Sequence, residues 1–175
     1  MESSELLVDA FGRLPSTVRR VVHGLSAKEL NSRPYQDGNS ISWLIWHLAR
    51  VEDAQVADVA GHQQVWTAEG WVDRVGLPLE AEDTGYGHTS EQVAKVQVQS
   101  AEVLQSYYDA VSARTVAFVS GLSAADLDRV VDTSWDPPVT LGVRLISSLA
   151  DCLEHVGQAA YVRGMLTSGS SSGSS

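Results

Sequence analysis

Four long stretches of this chain carry apolar side chains at a spacing near 3.6 residues, the pattern of helices with one buried face. The first runs from about Glu5 to Gly24, with Leu6, Leu7, Ala10, Phe11, Leu14, Val18, Val21 and Val22 in phase. Pro15 falls inside that pattern; lacking an amide donor, it predicts a kink or a split into two helices. The second starts at Ser40, which can cap it, and continues to about Ala60 before Gly61. Ile41, Leu44, Ile45, Leu48, Val51, Val56 and Val59 form its stripe, and Glu52, Asp53 and Asp58 read as its wetter face. The third spans about Ser100–Ser120 and buries Val103, Leu104, Tyr107, Tyr108, Val111, Thr115, Phe118 and Val119. The fourth is capped by Thr140 and runs to about Met165.

Short helical pieces are predicted over Ala27–Leu30, Glu91–Val96 and Ser123–Leu127, with Pro34 and Asp37–Gly38–Asn39 marking a turn and 130–138 irregular. Residues 61–90 are the least regular part, and their Trp and Tyr content predicts an ordered loop that packs. Gly24–Leu25–Ser26–Ala27–Lys28–Glu29–Leu30 nearly repeats as Gly121–Leu122–Ser123–Ala124–Ala125–Asp126–Leu127. Each copy follows one long helix and precedes another, so two similar halves would make an all-α four-helix bundle with a long crossover between its second and third helices. One domain over 1–166 is expected, followed by a disordered Thr/Ser/Gly tail over 167–175.

Composition narrows the functions. With 22 acidic against 12 basic residues the net charge is −10, which repels phosphate backbones, so no nucleic-acid partner is expected. A single cysteine, Cys152, allows no intrachain disulfide and suits a reducing cytoplasm. The N-terminus, Met1–Glu2–Ser3–Ser4–Glu5, does not read as a signal peptide, and no apolar run is long enough to span a membrane.

Candidate chemistry lies on the last helix. Asp151 and His155 are four apart and share a face, on a polar seam of Arg144, Ser148, Asp151, His155 and Gln158 bordered by apolar positions. An exposed pair of this kind stabilises a helix by only about 0.2–0.5 kcal/mol. His47, about a hundred residues upstream, sits among Trp43, Leu44, Ile45, Trp46 and Leu48. It is either a core histidine hydrogen-bonded to a carbonyl or the third ligand of a metal ion shared with Asp151 and His155. Two imidazoles and a carboxylate would leave a coordination position open, as in catalytic sites.

Ser40–Ile41–Ser42–Trp43–Leu44–Ile45–Trp46–His47, taken with Asp151–Cys152–Leu153–Glu154–His155–Val156–Gly157–Gln158, resembles the DinB superfamily of four-helix-bundle metalloenzymes. More closely, the chain is similar to the mycothiol S-transferases, and more distantly to mycothiol-dependent maleylpyruvate isomerases. The closer likeness extends through Gly70–Trp71–Val72–Asp73–Arg74, Asp83–Thr84–Gly85–Tyr86–Gly87–His88, Val130–Val131–Asp132–Thr133 and Gln158–Ala159–Ala160–Tyr161. The resemblance implies metal ligands His47, Asp151 and His155, with aspartate at 151 where many relatives carry histidine and the isomerases glutamate. It implies a divalent cation and mycothiol as co-substrate; zinc is the expected metal, and the donor set of two histidines and a carboxylate also suits iron(II) or nickel. The expected activity is conjugation of that thiol to electrophilic small molecules, a detoxification reaction. A thiol of pKa about 8.5 is only a few per cent ionised at neutral pH, so coordination could raise the thiolate about thirty-fold. Most of the acceleration must then come from holding the electrophile beside the sulfur.

Other polar residues have two readings each. Arg50 and Arg144 are candidates for an anionic group of the thiol or substrate, or for ion pairs; for Arg50 the partner would be Asp53 or Asp58. His88 either closes over the cleft or holds its loop. Trp43, Trp46, Trp71 and Tyr86 are packing residues or substrate platforms, and Gln158 is placed to hydrogen-bond a ligand side chain. Cys152 points about 100° away from Asp151 around the helix and reads as a small buried residue. A thiol-dependent isomerase, a metal-dependent hydrolase and a non-catalytic metal-binding bundle are the rival functions, and a homodimer through exposed apolar helix faces is left open.

Overall fold

A computed structural model describes residues 2–169. Its elements, in order, are α1 (Ser3–Gly12), α2 (Leu14–Val22), α3 (Ala27–Asn31), α4 (Ile41–Ala60), α5 (Val65–Ala68), α6 (Trp71–Val75), α7 (Ser90–Lys95), α8 (Ala101–Ser120), α9 (Ala124–Leu127), β1 (Val130–Asp132), β2 (Val139–Thr140) and α10 (Leu141–Gly169). The predicted first helix is two, because Pro15 enters at the first turn of α2, where a missing amide costs no hydrogen bond. With α1 and α2 as one broken rod, α4, α8 and α10 complete a four-helix bundle, and residues 61–100 form the crossover.

The near-repeated heptapeptides fold alike. Ser26 and Ser123 each cap a short helix with a reciprocal side chain three residues on, Glu29 and Asp126. Ser40 caps α4 through the Trp43 amide, and Gly61 closes that helix in the left-handed region. Residues 130–140, expected to be irregular, contain a short antiparallel pairing of β1 with β2. α10 reaches Gly169, three residues into the stretch expected to be a disordered tail; the remainder of that stretch lies outside the described residues. Among the described residues no helix is long and apolar enough to cross a membrane.

α4 is the hub. It packs most extensively on α10 and also on α8, while the crossover covers its remaining side. Glu52 and Asp53, expected on a wetter face, are therefore buried, at 0% and 3% exposure; Asp58 alone of the three is exposed. Asp53 is fully partnered, as buried charge requires, whereas Glu52, among the described residues, has partners on Oε2 only. Asp53 accepts from the Val65 and Trp66 amides at 2.8 Å each and from the Tyr107 hydroxyl at 3.0 Å, which caps α5 from a neighbouring helix. Glu52 accepts from the Tyr108 hydroxyl at 2.9 Å, and the Cys152 thiol lies 3.4 Å from the same oxygen. Burial raises both carboxyls above their ordinary range, against the pull of these hydrogen bonds.

Candidate metal centre

α4 and α10 bring the predicted triad together. His47, Asp151 and His155 each offer one donor atom, and the three atoms lie within 4.8 Å of one another. His47 is buried and the other two are half-buried, on the floor of an open cleft of about 310 Å³ whose walls include Asn39, Trp43, Tyr86, His88 and Val93. Asp151 and His155 are there because they are one turn apart on α10. His47 meets them because α4 and α10 pack side by side.

The imidazoles are oriented from behind. The Thr84 carbonyl sits 2.5 Å from His47 Nδ1, and the Asp151 carbonyl 2.8 Å from His155 Nδ1. A carbonyl can only accept, so each Nδ1 carries the proton and each Nε2 presents a bare lone pair. Burial lowers the His47 pKa and keeps this imidazole neutral. Burial pulls the His155 pKa down as well, but the Asp151 carboxylate and carbonyl outweigh it, and the net shift is upward. Asp151 Oδ2 is enclosed, and its nearest donor is His155 Nδ1 at 3.4 Å, whose proton is directed at the Asp151 carbonyl at 2.8 Å. That long contact leaves the carboxylate oxygen short of a full hydrogen bond, next to two oriented imidazoles, an arrangement that suits a cation.

The crossover supplies the wall behind His47. Gly85 lies against the ring: a Cβ there would stand 2.8 Å from His47 Nδ1, 3.0 Å from Trp46 and 3.3 Å from Trp43, and φ is +86°. Trp43 stacks on His47 with ring centres 4.6 Å apart. Its indole N–H donates to His88 Nδ1 at 3.1 Å. The His88 proton must therefore reside on Nε2, which donates to the Asp83 carboxylate at 2.9–3.0 Å. Burial opposes the ionisation of Asp83, but the Gly85 amide and His88 hold its pKa below the ordinary value.

The other predicted contacts fall out variously. Tyr86 is 91% exposed on the cleft rim. His88 lines the cleft, but both its ring nitrogens are engaged in holding the loop. Trp46 is buried behind the cleft, stacked toward His88. Arg50 is fully buried and does not line the cleft; it pairs with Asp53 at 3.6 Å, one of its two expected roles, and reaches the carbonyls of Asp83 and Ala81 at 3.1 Å and Gln64 at 2.8 Å. The long side chain clamps the crossover to α4. Arg144 pairs with Asp132 of β1 at 2.8 Å and does not line the cleft. Gln158 is exposed and lines a neighbouring cavity, while His155 Nδ1 takes a backbone carbonyl. Cys152 is buried, as expected.

The sequence reading missed Asp83, Thr84 and Gly85 as supports and Asn39 as a wall residue. The signal available for the first three was Gly85–Tyr86–Gly87, two glycines enclosing an aromatic, both with positive φ in the structure.

A sequence profile described as mycothiol-S-transferase matches residues 6–168. The chain belongs to the mycothiol S-transferase family. Among solved structures, one described as a conserved protein from Enterococcus faecalis aligns with a TM-score of 0.87 and 31% identity, over 93% of this chain and 96% of that one. The architecture is the expected DinB-like bundle. Among curated proteins no significant match was found. For a member of the mycothiol S-transferase family, the His47–Asp151–His155 group is the part of the fold able to bind a metal.

Proposed function

We propose that the protein is a divalent-metal-dependent S-transferase that conjugates mycothiol to electrophilic small molecules, with zinc held by His47, Asp151 and His155. The observation that carries this reading is the convergence of three donor atoms at the floor of an open cleft in a chain of this family. Zinc is favoured because nitrogen and carboxylate donors suit it and it needs no redox partner. When bound, such a cation supplies thiolate at neutral pH and one positive charge to balance it, since two neutral imidazoles and one carboxylate leave a divalent ion only half neutralised.

The chain's own residues do the remainder. Thr84 and the Asp151 carbonyl fix which imidazole nitrogens face the cleft. Trp43 and Val93 give the cleft an apolar side, against which an uncharged electrophile can lie beside the sulfur. Holding the two reactants in that arrangement is the larger share of the rate enhancement. Cys152 takes no part, since burial and the adjacent Glu52 push its thiol well above the ordinary range.

The test is product analysis with metal-loaded protein, an activated electrophile and mycothiol. A covalent adduct formed with stoichiometric loss of thiol is expected. Turnover without thiol would make the protein a hydrolase, and thiol returned unchanged would make it an isomerase.

A further inference from the structure

The chain has five tyrosines. Tyr107 and Tyr108 are fully buried, whereas Tyr35, Tyr86 and Tyr161 are 69%, 91% and 72% exposed. All three exposed ones border the same region. Tyr86 stands on the rim of the metal cleft. Tyr35 and Tyr161 line a second cavity of about 430 Å³ together with Pro34, Gln158 and Met165. Asn39 belongs to the walls of both, so the second cavity adjoins the first as an annex beside it.

The annex is neutral. Among the described residues no charged side chain lines it, and apart from the three histidines His47, His88 and His155 the charged side chain lining the cleft is Asp151, a member of the triad. The nearby cation Arg33 is occupied by the Gly38 and Ser90 carbonyls and the Ser90 hydroxyl. A ligand bearing carboxylates or phosphates would thus lose hydration in the annex without meeting a counter-charge. Tyrosine faces with two primary amides, Asn39 and Gln158, instead match an uncharged ring whose C–H faces stack on aromatics and whose hydroxyls need hydrogen-bond partners.

The geometry points to the annex as the seat of the non-reacting end of the thiol, an uncharged sugar–polyol, and so as the element that selects mycothiol over anionic thiols such as glutathione. This rests on the proposed function and adds to it the side chains that choose the co-substrate: Tyr35, Tyr161 and Gln158, with Tyr86 at the opening.

Isothermal titration of the metal-loaded protein with mycothiol, N-acetylcysteine amide and glutathione tests it, with metal content measured on every sample. In the unaltered protein mycothiol binds at least tenfold more tightly than the uncharged N-acetylcysteine amide, and glutathione gains nothing over that amide. Tyr161→Ala, at a solvent-exposed position, lowers the ratio of mycothiol to N-acetylcysteine amide affinity about tenfold, the order expected for one aromatic platform. Gln158→Lys shifts preference toward glutathione. A mycothiol advantage that persists in both Tyr161→Ala and Tyr35→Ala overturns the assignment, as does tight glutathione binding to the unaltered protein. A change in sedimentation on Tyr161→Ala with the affinity ratio unmoved would give the annex to a second copy of the chain, which also overturns it. Failure of the parent reading looks different: no thiol binds the metal-loaded protein at all, and the variants have nothing to alter.

Discussion

Substituting Gly85 by alanine isolates the support behind His47. The added Cβ would lie 2.8 Å from His47 Nδ1, 3.0 Å from Trp46 and 3.3 Å from Trp43, so something must move by about half an ångström to restore an ordinary contact. The imidazole cannot retreat, because Trp43 is stacked on it at 4.6 Å and the ring is 5% exposed. The loop must lift instead, and with it the Thr84 carbonyl that holds the His47 proton at 2.5 Å. Losing such a contact to a metal-binding histidine weakens metal affinity by about 10–100-fold, or roughly 1.4–2.7 kcal/mol. The positive φ adds about 1–2 kcal/mol of backbone strain to the folded state. Gly87→Ala is the control, since Gly87 also has positive φ (+71°) but its Cβ would meet nothing within 4 Å; it carries the strain without the displacement. Zinc affinity is measured by competition with a chromophoric chelator, and stability by thermal unfolding of the metal-free protein. Both variants should lose stability to backbone strain, Gly85→Ala the more because of the displacement, and Gly85→Ala alone should lose metal affinity. Equal zinc affinity in the two would refute the claim that the crossover positions His47.

Two further outcomes concern the buried polar layer beneath the site. Burial raises the Glu52 carboxyl, so the folded state holds a proton that the unfolded chain releases, and this group's contribution falls as pH rises from the ordinary glutamate range through the raised value. Glu52→Gln should therefore raise the melting temperature more at pH 8 than at pH 5, and a larger gain at pH 5 would contradict the sign. Arg50→Leu should destabilise the metal-free protein by about 3–5 kcal/mol in denaturant unfolding, because it leaves Asp53 without its buried cation and unclamps residues 81–83; a loss under 1 kcal/mol would show that Arg50 is no clamp.

The bundle was legible because its long helices keep one apolar phase each and its caps are explicit: Ser26, Ser40 and Ser123 all accept the amide their positions predict. The Asp151–His155 pair on α10 was legible because four-residue spacing is a geometric statement, and the place of His47 beside it because an imidazole among tryptophans and leucines calls for a partner. Glu52 and Asp53 were misread as wet, and the burial of the Arg50–Asp53 pair was missed, for one physical reason. Three polar residues within four positions of a helix look solvent-facing unless a separate segment covers them, and that covering depends on the fold of residues 61–90, which has no periodicity to read. The hydrogen-bond donors Tyr107 and Tyr108 showed only as apolar bulk in the pattern, while their hydroxyls donate to Asp53 and Glu52. β1 and β2 are too short to produce an alternating signal. The loop from Asp83 to His88 could be marked by its glycines, but its approach to His47 is a tertiary fact.

The central claim is that His47, Asp151 and His155 share one cation. Elemental analysis of protein loaded with zinc and then desalted, for the unaltered chain and for His47→Ala and His155→Ala, addresses it most directly. The account predicts one zinc per unaltered chain and almost none in either variant, with the helical circular dichroism of all three alike. Undiminished zinc in both folded variants would contradict it.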